Sequence, residues 1–515
     1  MLDRIELSLF SNRVAAVCSE MGAVLRRAAF SPNIKDRLDF SCAVFDTAGR
    51  LTAQAAHIPV HLGSMGFALG QVIASQTWQP GDTVVLNDPY MGGTHLPDVT
   101  MISPVFVADE CVAFVANRAH HADIGAASPG SMPLATRLDD EGQVIAPLKL
   151  VRQGQVDESL FSRILERCRN RKLARGDFSA QLSANQAGVA RITTVVQSCG
   201  VAAYRSLNEA LQQYGAALAR QTLEKIPAGH YGFDDVLDGD GIVDEPVPIR
   251  VTVHIGDGVA DVDFQGTAAQ VAGNLNCPLP VTAAAVYYCF RCLMPDYTPS
   301  CAGVYSTIRL HVPPGSLLNA RRPAAVAAGN VETSSRIVDV VFGALAQALP
   351  DQIPAASQGT MNNIALGGIA DGVPWDYYET IAGGAGASAR GGGADGVHSH
   401  MTNTLNTPIE SVEMHYPLRI TRYQIREGSG GVGRHCGGNG LLREYQFMQR
   451  TEVTLLCDRR WRPPWGLAGG APGQVGENRL GDTRLPGKVS FCALPGSRLT
   501  IATPGGGGWG KAEQK

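Results

Sequence analysis

A basic surplus is missing from this 515-residue chain: 43 lysines and arginines face 47 aspartates and glutamates, a formal net charge of −4. That balance argues against nucleic acid or an anionic membrane as a partner, because both select cationic surfaces. No uncharged apolar run approaches the roughly 18 residues that a membrane-spanning helix needs. No secretory leader is expected, since Asp3, Arg4 and Glu6 interrupt the stretch where one would be continuously apolar. The 12 cysteines are scattered rather than framed like a disulfide scaffold, so reduced thiols and a cytoplasmic location are expected. The pattern G-x-x-x-x-G-K-[ST] is absent, so this chain shows no Walker-type ATP site. G-x-S-x-G is absent too, and serine hydrolysis has no local support.

What is present reads as an ordinary globular interior with many turns. Apolar residues make up 44% and charged residues 17%, with 59 glycines and 30 prolines. The length suggests two to four structural units. Apolar spacing predicts an amphipathic helix over 3–28, strands over 40–45 and 51–55 joined by a turn, a helix over 64–74 and a strand over 83–86. Strands over 99–107 and 111–117 follow. Residues 157–226 predict two or three helices, 247–253 and 259–264 strands, and 282–294 and 334–349 helices. The last hundred residues predict short strands between glycine clusters. The expected architecture is α+β and multi-layered. An N-terminal region, 1–150, carries the candidate site, 151–228 is helical, and 229–515 is mixed and then β-rich.

Five of the 12 histidines fall within residues 57–121: His57, His61, His95, His120 and His121. Two local patterns stand out, Thr94-His95-Leu96-Pro97-Asp98 and His120-His121-Ala122-Asp123. If residues 108–110 form a three-residue turn, Val107 pairs with Cys111 and, counting outward, Asp98 lies opposite His120. Opposed residues on one face have Cβ atoms roughly 4.5–5.5 Å apart, near enough to share one cation. His95 stands three residues before Asp98, with Pro97 stiffening the segment between. Two histidines and one aspartate with open positions suit hydrolytic metal chemistry, in which the cation lowers the pKa of water toward about 7. This donor set fits Zn²⁺, Mn²⁺ or Fe²⁺ better than Mg²⁺ or Ca²⁺. The plainer alternative is that these histidines cap loops and pack at strand ends.

Other features carry weaker signals. The 428–433 stretch satisfies G-x-G-x-x-G, but Arg434-His435-Cys436-Gly437-Gly438 cannot open a helix, so a structural turn is expected. Cys289 and Cys292 form a lone C-x-x-C, expected as buried thiols. His398-Ser399-His400 would put two imidazoles on one face of a strand, for a second metal, a substrate or loop support. Glu332-Thr333-Ser334 reads as a capping segment.

Taken together, several stretches resemble the hydantoinase B/oxoprolinase family over residues 1–510, as one unit. They are Asp36-Arg-Leu-Asp39-Phe-Ser, His57-Ile-Pro-Val-His61-Leu-Gly, Asn87-Asp88-Pro-Tyr-Met-Gly-Gly-Thr-His95-Leu-Pro-Asp98 and Asn117-Arg-Ala-His120-His121-Ala-Asp123-Ile-Gly125. Gly329-Asn-Val-Glu332-Thr-Ser, Gly383-Gly-Ala-Gly386-Ala, Thr402-Asn403-Thr, Gly430-Gly-Val-Gly433 and Pro504-Gly-Gly-Gly-Gly508 continue the match. The resemblance implies a metal-bearing subunit of ATP-dependent cyclic-amide hydrolases of the N-methylhydantoinase, 5-oxoprolinase and caprolactamase types. Acetone and acetophenone carboxylase subunits are related. It also implies a hetero-oligomer in which an actin-like ATPase subunit of hydantoinase A type, holding ATP and Mg²⁺, phosphorylates the oxygen of a small cyclic amide. By resemblance, the metal ligands are His95, Asp98 and His120, joined by Asp39, with Asp36 as the alternative. His121 or Asp123, beside His120, is expected to shuttle a proton. Ketone carboxylation and a non-catalytic role beside the ATPase are the alternatives. Two departures bear on pocket shape: Ala126 stands where the family has a second glycine, and 389–395 lacks the family's proline.

Overall fold

The computed structural model describes residues 4–56 and 58–512; His57 lies outside the described residues. Helix α1 (Arg4–Ala28) forms on the repeat Phe10, Val14, Val17, Met21 and Leu25, all buried. Ile5 and Leu9, in its first turns, lie on the exposed side. Arg26 and Arg27 sit in its last turn, where cations oppose the helix dipole favourably. After the short helix α2 (Pro32–Lys35), strands β1 (Phe40–Phe45) and β2 (Leu51–Ala56) form the expected hairpin. Asp46 closes its turn by accepting the Ala48 and Arg50 backbone N–H groups.

Helix α3 (Pro59–Ala74) starts a turn and a half before the expected 64–74, with Pro59 in a first-turn position that needs no N–H donor. This places His61 on the helix. Strands β3 (Thr83–Leu86), β4 (Asp98–Val107), β5 (Glu110–His120), β6 (Leu148–Arg152) and β7 (Gln155–Val156) complete an antiparallel sheet in the order β2-β1-β5-β4-β3-β6-β7. Both of its faces are covered. Cys42 and Val44 pack in a cluster with Val14 and Cys18 of α1. Ala43 and Phe45, pointing the other way, pack with Met65 and Leu69 of α3. The expected 150/151 boundary falls inside β6.

The β4–β5 connection differs from expectation. The turn has two residues, Ala108 and Asp109, with φ of 49° and 63°, and Val107 pairs with Glu110. Two left-handed residues match the twist of the flanking strands, which a three-residue turn does not require. A register shift between Val105 and Phe106 then restores the count, so Asp98 still lies opposite His120.

The helical region supplies α4 (Glu158–Glu166), α5 (Arg171–Cys199) and α6 (Val201–Leu223). Gln181 of α5 ties that helix to the first sheet, donating to Val99 O and Asn117 Oδ1. Strands β8 (Gly229–Leu237), β9 (Val247–Gly256), β10 (Val259–Asp263) and β11 (Ile308–His311) form a second sheet, near which lie α7 (Leu279–Arg291) and α8 (Ser334–Ala348). Cys289 of α7 is buried as expected, whereas Cys292, at the helix end, is exposed. Ahead of α8, Gly329–Thr333 forms a π-helical turn with no side-chain cap, contrary to the expected capping segment. Glu332 is fully buried and turns inward, accepting from Met361 N and Asn363 Nδ2.

The C-terminal part holds two more sheets. One contains β12 (Asn363–Ala370), β13 (Val373–Glu379), β16 (Thr451–Leu456) and β19 (Lys488–Ala493). The other contains β14 (Leu418–Arg426), β15 (Gly440–Phe447), β17 (Glu477–Leu480), β18 (Thr483–Leu485) and β20 (Arg498–Ala502). Beside them, glycine segments hydrogen-bond to one another: Gly437 N to Gly431 O at 2.9 Å, Gly431 N to Gly506 O at 2.8 Å and Gly506 N to Gly438 O at 2.9 Å. A Cβ on Gly437 would lie 2.0 Å from Gly506 O, so a side chain is excluded there. The 428–433 stretch belongs to this mesh, between β14 and β15, with no helix following. The whole is a mixed α+β architecture, as expected.

Candidate metal centre

The loop ahead of β4 is shaped from within. Asn87 donates to Leu96 O (2.8 Å) and Gln143 O (2.9 Å) and accepts from Ile145 N (2.7 Å). Gly93 passes so near Asn87 that a Cβ there would meet its carbonyl oxygen at 2.3 Å. Asp98 N–H returns to His95 O, stacking the two side chains at the mouth of the hairpin. His120 N–H donates to Asp39 O, which brings the turn before β1 alongside.

Three side chains converge there. His95 Nε2 lies 3.1 Å and His120 Nδ1 3.3 Å from Asp98 Oδ1, and the three ligand atoms all lie within 4.8 Å of one another. Donors about 2.1 Å from a shared cation, at tetrahedral or octahedral angles, stand about 3.0–3.4 Å apart. His95, Asp98 and His120 are at most 3% exposed. His95 Nδ1 and Nε2, Asp98 Oδ1 and His120 Nε2 are buried with no hydrogen-bond partner among the described residues. Each such orphan costs about 1–3 kcal/mol, and two of them, His95 Nε2 and Asp98 Oδ1, face the point where the three side chains converge. Among the described residues, this is the one His/Cys/Asp/Glu group compact enough to hold a metal ion.

The other carboxylate oxygen is held in place. Asp98 Oδ2 accepts from Thr94 Oγ1 at 2.7 Å, and His61 Nε2 and Asn330 Nδ2 stand 3.2 and 3.5 Å from it. Ser41 Oγ lies 3.2 Å from His61 Nδ1. Tyr378 stacks on the His120 ring with centroids 4.7 Å apart and fixes its plane. Burial alone would raise the Asp98 pKa, but the imidazoles of His95 and His61 outweigh it and hold the carboxyl well below its usual range. Burial pulls the His95 pKa down, yet attraction to Asp98 wins and the net shift is upward. Burial lowers the His120 pKa, and the charge on His95 adds to that effect.

The cavity bounded by these groups is about 20 Å³, room for a single ion or water, so a ring substrate enters only if lining groups move. Asp39 lines it, with Oδ2 3.8 Å from Arg37 Nη2, but stands outside the compact trio. Asp36 does not line it. His121 and Asp123 do not line it either. Successive strand-end residues point to opposite faces. His121 accordingly turns to Gln181 Oε1 (2.9 Å) and Phe178, and Asp123 accepts from the backbone of Gly125, Arg169 and Asn170. His398 and His400 are not on a strand; His400 has a φ of 57° and Nδ1 lies 3.4 Å from Tyr288 Oη.

Sequence reasoning overlooked His61 and Asn330 as site residues. The first was visible in the histidine window, while Asn330 was read only as part of the family-like stretch Gly329–Ser334, with no sign of its link to Asp98 more than 200 residues away. Thr402 and Thr404, noted only as part of a family-like stretch, also line the cavity, as do Met361, Tyr378, Thr380 and Met401, which had no readable signal.

The antiparallel sheet presents, at its hairpin mouth, a buried His–Asp–His trio that could hold a metal ion. The hydantoinase B/oxoprolinase family profile matches residues 3–512, and the chain belongs to that family. An uncharacterized protein of Methanocaldococcus jannaschii is 38% identical, covering 100% of this chain and 92% of its own. 5-oxoprolinase 1 of Arabidopsis thaliana is 38% identical over 99% of this chain, which spans only 42% of that longer protein. Among solved structures, the ATP-dependent caprolactamase from Pseudomonas jessenii superposes with a TM-score of 0.93 at 27% identity, covering 99% of this chain and 92% of that one. An acetone carboxylase chain shares the fold alone, with a TM-score of 0.88 at 17% identity over 98% of this chain and 75% of its own. No described helix is long and apolar enough to cross a membrane.

Proposed function

We propose that this chain is the metal-dependent hydrolytic subunit of an ATP-dependent cyclic amidase. It opens a ring amide after an actin-like ATPase subunit, carrying ATP and Mg²⁺, has phosphorylated the amide oxygen. The observation that carries this reading is the convergence of the buried His95, Asp98 and His120 side chains, with His95 Nε2 and Asp98 Oδ1 unpartnered where they meet. The names of the relatives, 5-oxoprolinase and caprolactamase, supply the substrate class.

An amide resists attack because resonance weakens its carbonyl as an electrophile. Phosphorylation of the oxygen removes that resonance and supplies a leaving group. His95 Nε2, Asp98 Oδ1 and His120 Nδ1 would hold a Zn²⁺, Mn²⁺ or Fe²⁺ ion, with Asp39 as a fourth ligand. The ion supplies Lewis acidity toward water and substrate oxygen. Thr94, His61 and Asn330 hold Asp98 Oδ2 so that Oδ1 alone faces the seat. The proton role expected of His121 or Asp123 would have to reach the seat through His120, since neither residue lines the cavity.

The test is His95→Ala in the full complex, read by metal analysis and by ATP-dependent ring opening. Loss of both is expected. Full metal occupancy with normal turnover would refute the site, and bicarbonate-dependent ATP turnover on a ketone would replace the amidase reading by carboxylation.

A further inference from the structure

The cavity at the metal centre, about 20 Å³, is far smaller than a ring amide, so a ring enters only where part of the wall yields. Most of the wall is fixed. Ile58, Val60, Val331, Thr380, Thr402 and Thr404 line it, and each is branched at Cβ, which leaves little freedom about χ1. Arg37 Nη2 donates to Thr380 Oγ1 (3.1 Å), and Thr404 Oγ1 lies 2.9 Å from that hydroxyl. Tyr378 is pinned at both ends. Its Oη donates to Asn363 Oδ1 (2.6 Å), its carbonyl accepts from Arg37 Nη1 (2.9 Å), and its ring lies on His120. The polar ends of His61 and Asn330 stand 3.2 and 3.5 Å from Asp98 Oδ2, and Asp39 Oδ2 stands 3.8 Å from Arg37 Nη2. Moving His95, Asp98 or His120 would dismantle the seat itself.

Among the described residues, two lining side chains remain, Met361 and Met401. Both are buried in the main hydrophobic cluster. A methionine side chain is unbranched, turns about three bonds and adapts to irregular space. Neither residue lies in a helix or strand. Met361 is held at its backbone, where N donates to Glu332 Oε1 (3.0 Å) and O accepts from Ile381 N (3.0 Å). Its side chain can therefore turn while the main chain stays in place. Met401 follows His400, whose φ is 57°, in the irregular segment between β13 and β14.

We propose that Met361 and Met401 set the size of the ring this site accepts, turning aside so that the ring's methylenes take the volume their thioethers fill. This inference rests on the cyclic-amide reading given above. Ile58, Val60 and Val331 supply the rest of the apolar wall for those methylenes, while the amide faces His95, Asp98 and His120. The ring gains by removing its apolar area from water. Displacing a packed methionine forfeits dispersion contacts, and that cost grows with the bulk of the ring.

The experiment counts rings opened per ATP hydrolysed by the full complex, with metal content measured alongside. A phosphorylated ring that this chain does not admit loses its phosphate to water and returns as the intact ring, so rejection here shows as ATP spent without opening. Met361→Ile and Met401→Ile keep the bulk but stiffen χ1, and each should cut rings opened per ATP about tenfold while ring-dependent ATP hydrolysis and metal content persist. Met401→Ala should raise the count for heptanolactam relative to 2-pyrrolidinone by a similar factor. A second measurement needs no turnover and no variant fold: methionine-methyl NMR of the Zn²⁺-loaded full chain titrated with δ-valerolactam. The Met361 and Met401 methyls should shift saturably, while those of the exposed Met91 and Met414 stay put. Rings opened with both buried methyls unmoved, or folded Met→Ile variants that open as many rings per ATP as before, would overturn this proposal alone. If no ring amide is opened and no methyl moves, the cyclic-amidase reading falls and takes this inference with it.

Discussion

The metal centre and the glycine mesh bring distant chain together by opposite means. Around Asp98, polar side chains reach inward from α3, β4, β5 and the π-helical turn, and Thr94, His61 and Asn330 hold one of its carboxylate oxygens. Between residues 383 and 510, backbone meets backbone at distances no side chain would permit. The first arrangement gathers unsatisfied side-chain polarity, and the second pairs its glycine backbone groups with one another. The lesson is that function is expected to tolerate loss in the mesh only through stability, whereas loss at the centre strikes chemistry directly.

The largest effect that would sharpen this contrast is Asp98→Asn. Metal content should fall to background and turnover by more than about 100-fold, because even outer partners of metal ligands are worth about 10–100-fold. Thr94→Val, which removes such a partner, should weaken metal binding within that smaller range, read by competition with a chelator. Next comes Gly437→Ala, whose Cβ would collide with Gly506 O. A loss of several kcal/mol is expected, while any folded fraction keeps its full metal content. Gly372→Ala, at φ +79° with open space around it, should cost only about 1 kcal/mol by the same thermal melt. Equal damage from the two would break the comparison.

A pH effect follows in size. Burial, aided by the nearby charge of Asp458, raises the Glu332 pKa from 4.5 to about 7. A carboxyl raised in the folded state contributes stability fully below its unfolded value and loses it as pH rises through the folded one. Metal-free protein should therefore lose up to about 3 kcal/mol between pH 4.5 and 8 from this group. Glu332→Gln should flatten that slope in thermal melts at the two pH values; an unchanged slope would assign it elsewhere. The smallest expected change is Asp109→Gly, which relieves a left-handed residue and should stabilise the hairpin by about 1 kcal/mol without altering metal content.

Much of this was legible because it is local. The amphipathic repeat of α1, the long helices after residue 157 and the Asp98–His120 pairing follow from periods of 3.6 and 2 and from short connections. The pairing was read correctly through a turn of the wrong length, since the register shift in the hairpin compensates for the missing turn residue. What was not legible came from afar. His121 and Asp123 are sequence neighbours of His120, yet strand geometry and the Gln181 and Arg169 contacts turn them away. Glu332 looked like a helix cap because a cap is a local pattern, but Met361 and Asn363 claim its carboxylate.

By itself, the amino-acid order determined where the elements run and which three residues could meet one ion, because strand alternation and hairpin pairing are set by neighbours along the chain. Only the tertiary structure decided which face each histidine occupies, that Asn330 and His61 brace the aspartate, and that two methionines from separate loops close the cavity. Those outcomes depend on contacts between segments far apart in the chain, whose positions no local period encodes.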